Sequence, residues 1–205
     1  MSKGCVYIVD DDFAMRDSLE MLLCSHGYDA KLFRDGSEFL TAAPFLQFGV
    51  LLVDLQMPGM DGLELLTRLR ERKIKFPVVV ITGYGNITVA VKAMRAGAID
   101  FVEKPFSNET ICTSIELALA SEAAPPEGGI KREVVAQRLT RLSRREHEVM
   151  TRLVAGNSNK VTALTLGLSP RTVEIHRARV MEKMQARSLS ELVRLAITAG
   201  INPEN

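Results

Sequence analysis

Residues 6–12 read Val6-Tyr7-Ile8-Val9-Asp10-Asp11-Asp12: four apolar or aromatic residues run directly into three aspartates. The apolar run does not alternate with polar residues, which is typical of a strand buried on both faces. Three adjacent carboxylates repel one another and resist removal from water. The stretch therefore predicts a cation at the carboxyl end of a buried strand.

Strand and helix patterns alternate through the N-terminal half. Further strand-like runs occur at 30–33, 50–53, 78–81 and 99–102, and segments with apolar residues at helical spacing separate them. Five such units predict an α/β fold, a five-stranded doubly wound parallel sheet with helices on both faces.

The charge of the chain is divided unevenly. Residues 1–124 hold 12 Lys and Arg against 17 Asp and Glu, whereas residues 125–205 hold 14 Lys and Arg, 11 of them Arg, against 8 Glu. Pro125-Pro126 and Gly128-Gly129 cannot continue a helix and mark a linker. We predict a first domain over 3–122, a linker over 123–137 and a small all-α domain over 138–203. The basic half indicates a nucleic-acid partner, although a solvated basic face gives the same count.

Neither a membrane span nor a secretory leader is expected. No apolar run approaches the roughly 20 residues that cross a bilayer, and the first four residues lead directly into a strand. Cys5, Cys24 and Cys112 are far apart without CxxC spacing, so we expect reduced cysteines packed as small hydrophobic residues. These features are typical of a cytoplasmic protein with no membrane partner.

Polar side chains stand where the predicted strands end. Asp10 and Asp11 end the first strand, Asp54 the third, Thr82 the fourth and Lys104 the fifth. Ligands of open α/β sheets bind just outside the carboxyl ends of the strands. We therefore expect three carboxylates, one hydroxyl and one ammonium to meet at one place.

This set of groups suits phosphoryl transfer. Carboxylate oxygens are preferred ligands of Mg²⁺, and phosphoryl transfer depends mostly on positioning and on charge neutralisation. Asp54 is the candidate nucleophile that forms an aspartyl phosphate. Lys104 would pair with one phosphoryl oxygen and Thr82 would donate a hydrogen bond to another. For Asp12 we expect only the N-cap of the following helix.

A Mg²⁺-dependent phosphohydrolase is an alternative from another class. Asp10-Asp11-Asp12 contains the Asp-x-Asp element of such enzymes, but Ala14 stands where their signature has threonine or valine. That interpretation also leaves Asp54 and the basic half unexplained. Turnover of a phosphatase substrate would support it.

Four segments, VDDD, VDLQMPGMDG, VITGYG and DFVEKPF, follow one another between residue 4 and about residue 120. In residue identity, order and spacing they resemble the receiver domain of two-component response regulators. The resemblance implies a flavodoxin-like fold and phosphorylation of Asp54 by a sensor histidine kinase. It implies a cis peptide at Lys104-Pro105 and a switch in which Thr82 and Phe101 move inward together. It also implies a Mg²⁺ site formed by Asp10, Asp11, Asp54 and the Gln56 carbonyl.

The basic half carries a helix-turn-helix pattern. Ser143 with Glu146 three residues on predicts a capping box. A short helix over 160–167, a tight turn, and a longer Arg-rich helix over 170–185 follow. In the longer helix three apolar residues share one face and should pack inward: Val173, Val180 and Met184.

The segments LSRREHEVM, GNSNK and SPRTVEIHRARVMEKM resemble the LuxR-type helix-turn-helix of the FixJ-like branch over roughly residues 138 to 200. Thr162 departs from that pattern because the family usually has isoleucine there. A hydroxyl at this place weakens packing unless it bonds the preceding turn.

Two groups of residues are expected to contact DNA. Base edges should be contacted by Arg171, Glu174, Ile175 and Arg177. Phosphates, which position a protein without reading sequence, should be contacted by Lys160, Thr172, His176, Arg179 and Lys183.

The combined pattern predicts a phosphorylation-activated transcription regulator rather than a turnover enzyme. Its expected partners are a sensor histidine kinase, promoter DNA, RNA polymerase and a second copy of the chain. Val91 and Arg95, four residues apart on one helical face, are the candidate dimer contacts. A receiver that acts through protein contacts alone does not account for 11 arginines beside a helix-turn-helix, and absence of DNA affinity at low salt would favour it.

Overall fold

The computed structural model describes residues 2–83, 87–123 and 132–201. These form two compact units. The first contains a five-stranded parallel sheet in the order β2-β1-β3-β4-β5, which confirms the predicted fold class. Its strands are β1 (Cys5–Val9), β2 (Asp29–Phe33), β3 (Gly49–Asp54), β4 (Val78–Thr82) and β5 (Asp100–Glu103).

Helices cover both faces of this sheet, as an unbroken apolar strand requires. The helices of the unit are α1 (Phe13–Ser25), α2 (Gly36–Ala42), α3 (Gly62–Glu71) and α5 (Asn108–Ala123), and a 3-10 turn spans Ala43–Phe45. Alternate residues of β1 point to opposite faces. Val6 and Ile8 join a core with residues of α1 and α5, whereas the Tyr7 ring packs against Phe39 of α2 and against Phe76.

The second unit is helical. Its helices are α6 (Arg132–Leu139), α7 (Arg144–Val154), α8 (Asn159–Leu166), α9 (Pro170–Met184) and α10 (Leu189–Thr198). Val173, Val180 and Met184 are fully buried in its core, as the heptad-like spacing predicted.

Helix ends in this unit follow from local chemistry. Ser143 and Glu146 form the predicted capping box of α7, and Ser169 caps α9 with Pro170 at its first position. The helix ends at Met184, one residue before the predicted end, because Gln185 takes a left-handed conformation with φ of 54°. Such a residue commonly closes a helix.

Helix α4 (Ile87–Arg95) belongs, up to Met94, to the same compact unit as residues 132–201. The Thr88 hydroxyl donates a hydrogen bond of 3.0 Å to the Gly156 carbonyl. A Cβ on Gly156 would come within 2.4 Å of Thr88 Cα, so this approach requires glycine.

Two described helices reach into the predicted linker of 123–137. Helix α5 runs to Ala123, and α6 begins at Arg132, inside the predicted linker of 123–137. Val135 of α6 is fully buried in the helical core, and this burial favours helix over linker at that position. The paired prolines and glycines lie in 124–131, outside the described residues.

Candidate functional site

Three carboxylates meet at the carboxyl ends of neighbouring strands. The β1–β3 register pairs Val9 with Val53, so the next residues, Asp10 and Asp54, leave the sheet side by side. Asp10 and Asp54 are buried and Asp11 is exposed, and one oxygen of each lies within 4.8 Å of the other two. The structure therefore brings the predicted acidic cluster together.

The backbone closes tightly around this cluster at Gly62. A Cβ there would lie 2.5 Å from the Asp54 carbonyl oxygen, so only glycine lets α3 begin so close to β3. Asp61 caps α3 by accepting from the Glu64 N–H at 2.7 Å. The MPGMDG segment thus shapes the wall beside Asp54.

Lys104, just after β5, reaches the same place. Its ammonium nitrogen lies 2.6 Å from Asp54 Oδ2 and 3.3 Å from Asp10 Oδ2. Its backbone N–H donates to the Thr82 carbonyl at 2.8 Å, which fixes the start of the loop. The Lys104-Pro105 peptide is cis, as the resemblance implied.

The electrostatics leave the cluster short of positive charge. Burial raises the pKa of the Asp10 carboxyl, and the negative charge of Asp54 adds to the rise, although the Asp12 N–H and the Lys104 ammonium act against it. Burial alone would lower the pKa of Lys104, but its hydrogen bond to Asp54 and the charges of Asp54 and Asp10 outweigh burial and raise it. One ammonium facing three carboxylates leaves room for a further cation.

The donor set fits a hard divalent cation. All three acidic side chains offer oxygen, and the exposure of Asp11 leaves a side open to water. Mg²⁺ prefers oxygen ligands and keeps several waters. The Gln56 N–H donates to Asp54 Oδ1 at 3.1 Å; the role of the Gln56 carbonyl as a ligand stays a prediction.

The expected switch residues lie on β4 and β5. Thr82 is fully buried at the end of β4, and its hydroxyl lies 3.4 Å from the Gly83 carbonyl. Phe101 is half-buried on β5. Their coupled movement stays a prediction.

Arg16 is a site residue that the sequence analysis missed. Its guanidinium donates to the Asp10 carbonyl oxygen at 2.6 Å and lies over the Phe13 ring. Asp12 caps α1, as expected, by accepting from the Ala14 N–H at 2.9 Å. Once Asp12 is taken as the N-cap, Arg16 falls one turn on, and that spacing could have indicated a cation beside the aspartates.

The predicted DNA contacts do not all have equal freedom. Exposed side chains are Lys160, Arg171, Glu174, Ile175 and Arg179, and half-buried ones are Thr172, His176 and Arg177. The Lys183 ammonium instead binds Glu146 Oε2 at 2.6 Å. In this conformation Lys183 ties the end of α9 to the start of α7.

The candidate dimer contacts on α4 differ in exposure. Val91 is 2% exposed and Arg95 is half-buried. Val91 must become exposed before it can contact a second copy of the chain, so a dimer through Val91 requires that α4 change its packing. The assignment stays a prediction.

A parallel sheet with an acidic cluster, a lysine and a hydroxyl at its strand ends is the arrangement expected of a receiver domain, and a helix-turn-helix in the second unit is the arrangement expected of a DNA-binding domain. The family model of the response regulator receiver domain matches residues 6–116, and the model of the bacterial regulatory proteins of the luxR family matches residues 140–196. The chain belongs to the two-component response regulators of the FixJ-like kind, which are transcription regulators and not turnover enzymes.

Two curated relatives and one solved structure are similar to this chain over nearly its whole length. The transcriptional regulatory protein FixJ of Bradyrhizobium diazoefficiens is 48% identical over 200 residues, 98% of each chain. FixJ of Rhizobium meliloti is 45% identical over 203 residues, 99% of this chain and all of that one. The crystal structure of full-length FixJ from B. japonicum matches with a TM-score of 0.58 and 48% identity, over 98% of this chain and 100% of that one.

Proposed function

We propose that Asp54 is the phosphoacceptor of this regulator. A carboxylate oxygen of Asp54 attacks the phosphorus of a phosphohistidine on the sensor kinase, the P–N bond breaks, and the electron pair stays on the imidazole nitrogen, which takes a proton. The observation that carries the proposal is the 2.6 Å contact of Asp54 with Lys104 inside the acidic cluster. The Lys104 ammonium then pairs with one phosphoryl oxygen, and the Thr82 hydroxyl donates a hydrogen bond to another.

Asp10, Asp11, Asp54 and the Gln56 carbonyl would hold Mg²⁺. When bound, the ion offsets the repulsion of the carboxylates and neutralises the incoming phosphoryl charge. The three carboxylate oxygens within 4.8 Å of one another support the aspartate part of this set, and the Gln56 carbonyl rests on the resemblance.

Asp54→Asn tests the phosphoacceptor. With acetyl phosphate and Mg²⁺ the wild type should gain acid-labile phosphate, and Asp54→Asn should gain none because the amide is not a nucleophile. Asp12→Asn is the matched control, since asparagine still caps α1. Wild-type incorporation by Asp54→Asn would show that another residue accepts the phosphoryl group.

We further propose that α9 reads base edges through Arg171, Glu174, Ile175 and Arg177. Glu174 and Ile175 are exposed, and a carboxylate accepts well from a cytosine amino group. Glu174→Ala should relax preference at one base pair in a binding-site selection. Arg179→Ala should weaken all sites alike. An unchanged preference for Glu174→Ala would contradict this division.

Phosphorylation is proposed to release α4 and permit a dimer through Val91 and Arg95. Helix α4 lies in the helical unit, and the Thr88–Gly156 hydrogen bond supports its role in holding the unphosphorylated state. Contact with RNA polymerase at the promoter would follow, in the cytoplasm. Among the described residues, no helix is long and apolar enough to cross a membrane.

Light scattering with and without phosphodonor tests the dimer. The wild type should double in mass on phosphorylation, and Arg95→Glu should not. Lys92→Glu, an exposed neighbour with the same change of charge, is the control. Equal dimerisation of Arg95→Glu would exclude Arg95 from the interface.

A further inference from the structure

A cavity of about 350 Å³ lies in the sheet unit beside the start of β4. The acidic cluster follows the carboxyl ends of the strands, whereas Val78, which lines this cavity, is the first residue of β4. The cavity therefore lies at the amino ends of the strands, whereas Asp54 lies at their carboxyl ends. Its volume falls within the range of about 300–1,000 Å³ that holds small molecules.

The wall of the cavity is apolar and well supported. Leu66 and Leu69 come from α3, and Ile74, Phe76 and Val78 come from the chain that leads into β4. The Phe76 ring packs at 5.5 Å from the rings of Tyr7 and Phe39. This packing fixes Phe76 in place, so the cavity has a defined shape before any ligand enters.

Three cationic side chains line the same cavity: Arg70, Lys73 and Lys75. All three are exposed, and none of them makes a side-chain hydrogen bond or ion pair with the part of the chain that the structure describes. The lining contains no acidic residue among the described positions. An apolar wall beside free cations is complementary to a ligand with an apolar body and one negative group.

Lys73 occupies a position that favours glycine. It follows the end of α3 with φ of 57°, in the left-handed region, while the next N–H, of Ile74, donates to the Leu69 carbonyl at 3.0 Å. Glycine adopts this conformation without the steric conflict that a Cβ causes. A lysine here is unfavourable for the turn itself, and it places an ammonium beside the cavity.

We propose that this cavity binds a small apolar monocarboxylate, with the hydrocarbon against Leu66, Leu69 and Phe76 and the carboxylate against Lys73 and its cationic neighbours. The loop Ala96–Gly97, which leads out of α4, closes one side of the cavity. A ligand there would contact the chain between α4 and β5 without touching the acidic cluster.

Octanoate is a suitable probe, measured by calorimetry on the unphosphorylated full chain. It should bind at least about tenfold tighter than 1-octanol, because a hydrogen bond to a charged group adds affinity of that size. Backbone NMR shifts should map to residues 66–78 and 96–97 and leave those beside Asp54 unchanged. Shifts elsewhere, or equal binding of 1-octanol, would overturn the proposal.

Lys73→Gly provides the decisive variant. It keeps the left-handed turn, so the fold is retained, and it should weaken octanoate binding about tenfold while 1-octanol binding stays unchanged. Arg72→Ala, a neighbouring exposed arginine outside the lining, should bind octanoate like the wild type. Ala96→Leu should reduce binding of both probes by filling the cavity. Unchanged octanoate affinity in Lys73→Gly would overturn the proposal.

Discussion

Two lysine–carboxylate contacts of the same length, 2.6 Å, occur in the two units: Lys104 with Asp54 in the sheet unit and Lys183 with Glu146 in the helical unit. In both, the carboxylate is buried and the lysine is partly exposed. Their surroundings differ. Glu146 Oε2 also accepts from the Ser143 N–H at 2.7 Å, so two donors share the oxygen that Lys183 contacts.

The pKa values of Glu146 and of Asp10, the neighbour of Asp54, shift in opposite directions. The hydrogen bond from Lys183, then that from the Ser143 backbone, lower the pKa of Glu146 to about 2. Beside Asp54, burial raises the pKa of Asp10. Two donors contact the Glu146 carboxylate, whereas three carboxylates at the Asp54 site face one lysine ammonium, which leaves an excess of negative charge there. An excess of this kind indicates a ligand site, and a balanced pair indicates a structural tie.

The largest expected effect separates the two pairs by stability. Glu146→Ala removes half of the capping box and leaves Lys183 without its partner, so it should destabilise the helical unit by about 3 kcal/mol. Asp54→Ala relieves repulsion with Asp10 and should change the stability of the sheet unit by less than about 1 kcal/mol. Hydrogen exchange of amides in α7 and β3 of the full chain measures both.

The opposite ranking, with β3 more affected than α7, would show that the Lys104–Asp54 pair holds the fold. Glu148→Ala is a control in the same helix. Glu148 forms surface ion pairs with Arg144 and Arg145, and such solvent-exposed pairs contribute little to stability.

Sequence patterns predicted the sheet unit well because its signals are local and strong. Unbroken apolar runs such as 6–9 specify buried strands, and the polar residue that follows each run is placed by the parallel topology. Arg16 was missed because its guanidinium contacts a backbone carbonyl, that of Asp10, and its one signal in the sequence is its position one turn after the Asp12 N-cap.

The second prediction concerns acid. The folded pKa of Glu146, about 2, lies below its ordinary value of 4.5, so its contribution to stability is fully present above pH 4.5 and is lost as the pH falls towards 2. Amide exchange in α7 should therefore accelerate over that range relative to Glu146→Gln, which has no proton to gain. Parallel pH profiles for the two proteins would contradict the assigned tie.

The third prediction tests the excess charge at Asp54. Lys104→Met removes the one ammonium that lies on Asp54 and Asp10, so the cluster should bind Mg²⁺ about tenfold tighter than in the wild type. Lys183→Met should leave Mg²⁺ affinity unchanged. Calorimetric titration with Mg²⁺ measures both, and weaker binding in Lys104→Met would mean that the lysine organises the carboxylates for the ion.

The helical unit was less predictable because its roles depend on tertiary contacts. Lys183 lies on the exposed side of an Arg-rich helix in sequence and was assigned to phosphates, but Glu146, 37 residues away, holds it. The sequence pattern did not indicate α6 because its apolar residues are few, and the packing of Val135 into the core shows how one of them is used. Long-range pairs of this kind leave no periodic signal.

The smallest expected effect concerns Thr162, where the family pattern has isoleucine. Thr162 is 0% exposed, and its hydroxyl oxygen has no hydrogen-bond partner among the described residues. A buried hydroxyl without a partner is destabilising. Thr162→Val keeps the shape and removes the hydroxyl, so it should stabilise the helical unit by about 1 kcal/mol.

Thr165→Val on the same helix is the control, because the exposed Thr165 hydroxyl donates to the Val161 carbonyl at 2.9 Å and its loss should be neutral or slightly destabilising. Urea unfolding followed by hydrogen exchange in α8 measures the difference, and destabilisation by Thr162→Val would show that the hydroxyl has a bound water as its partner.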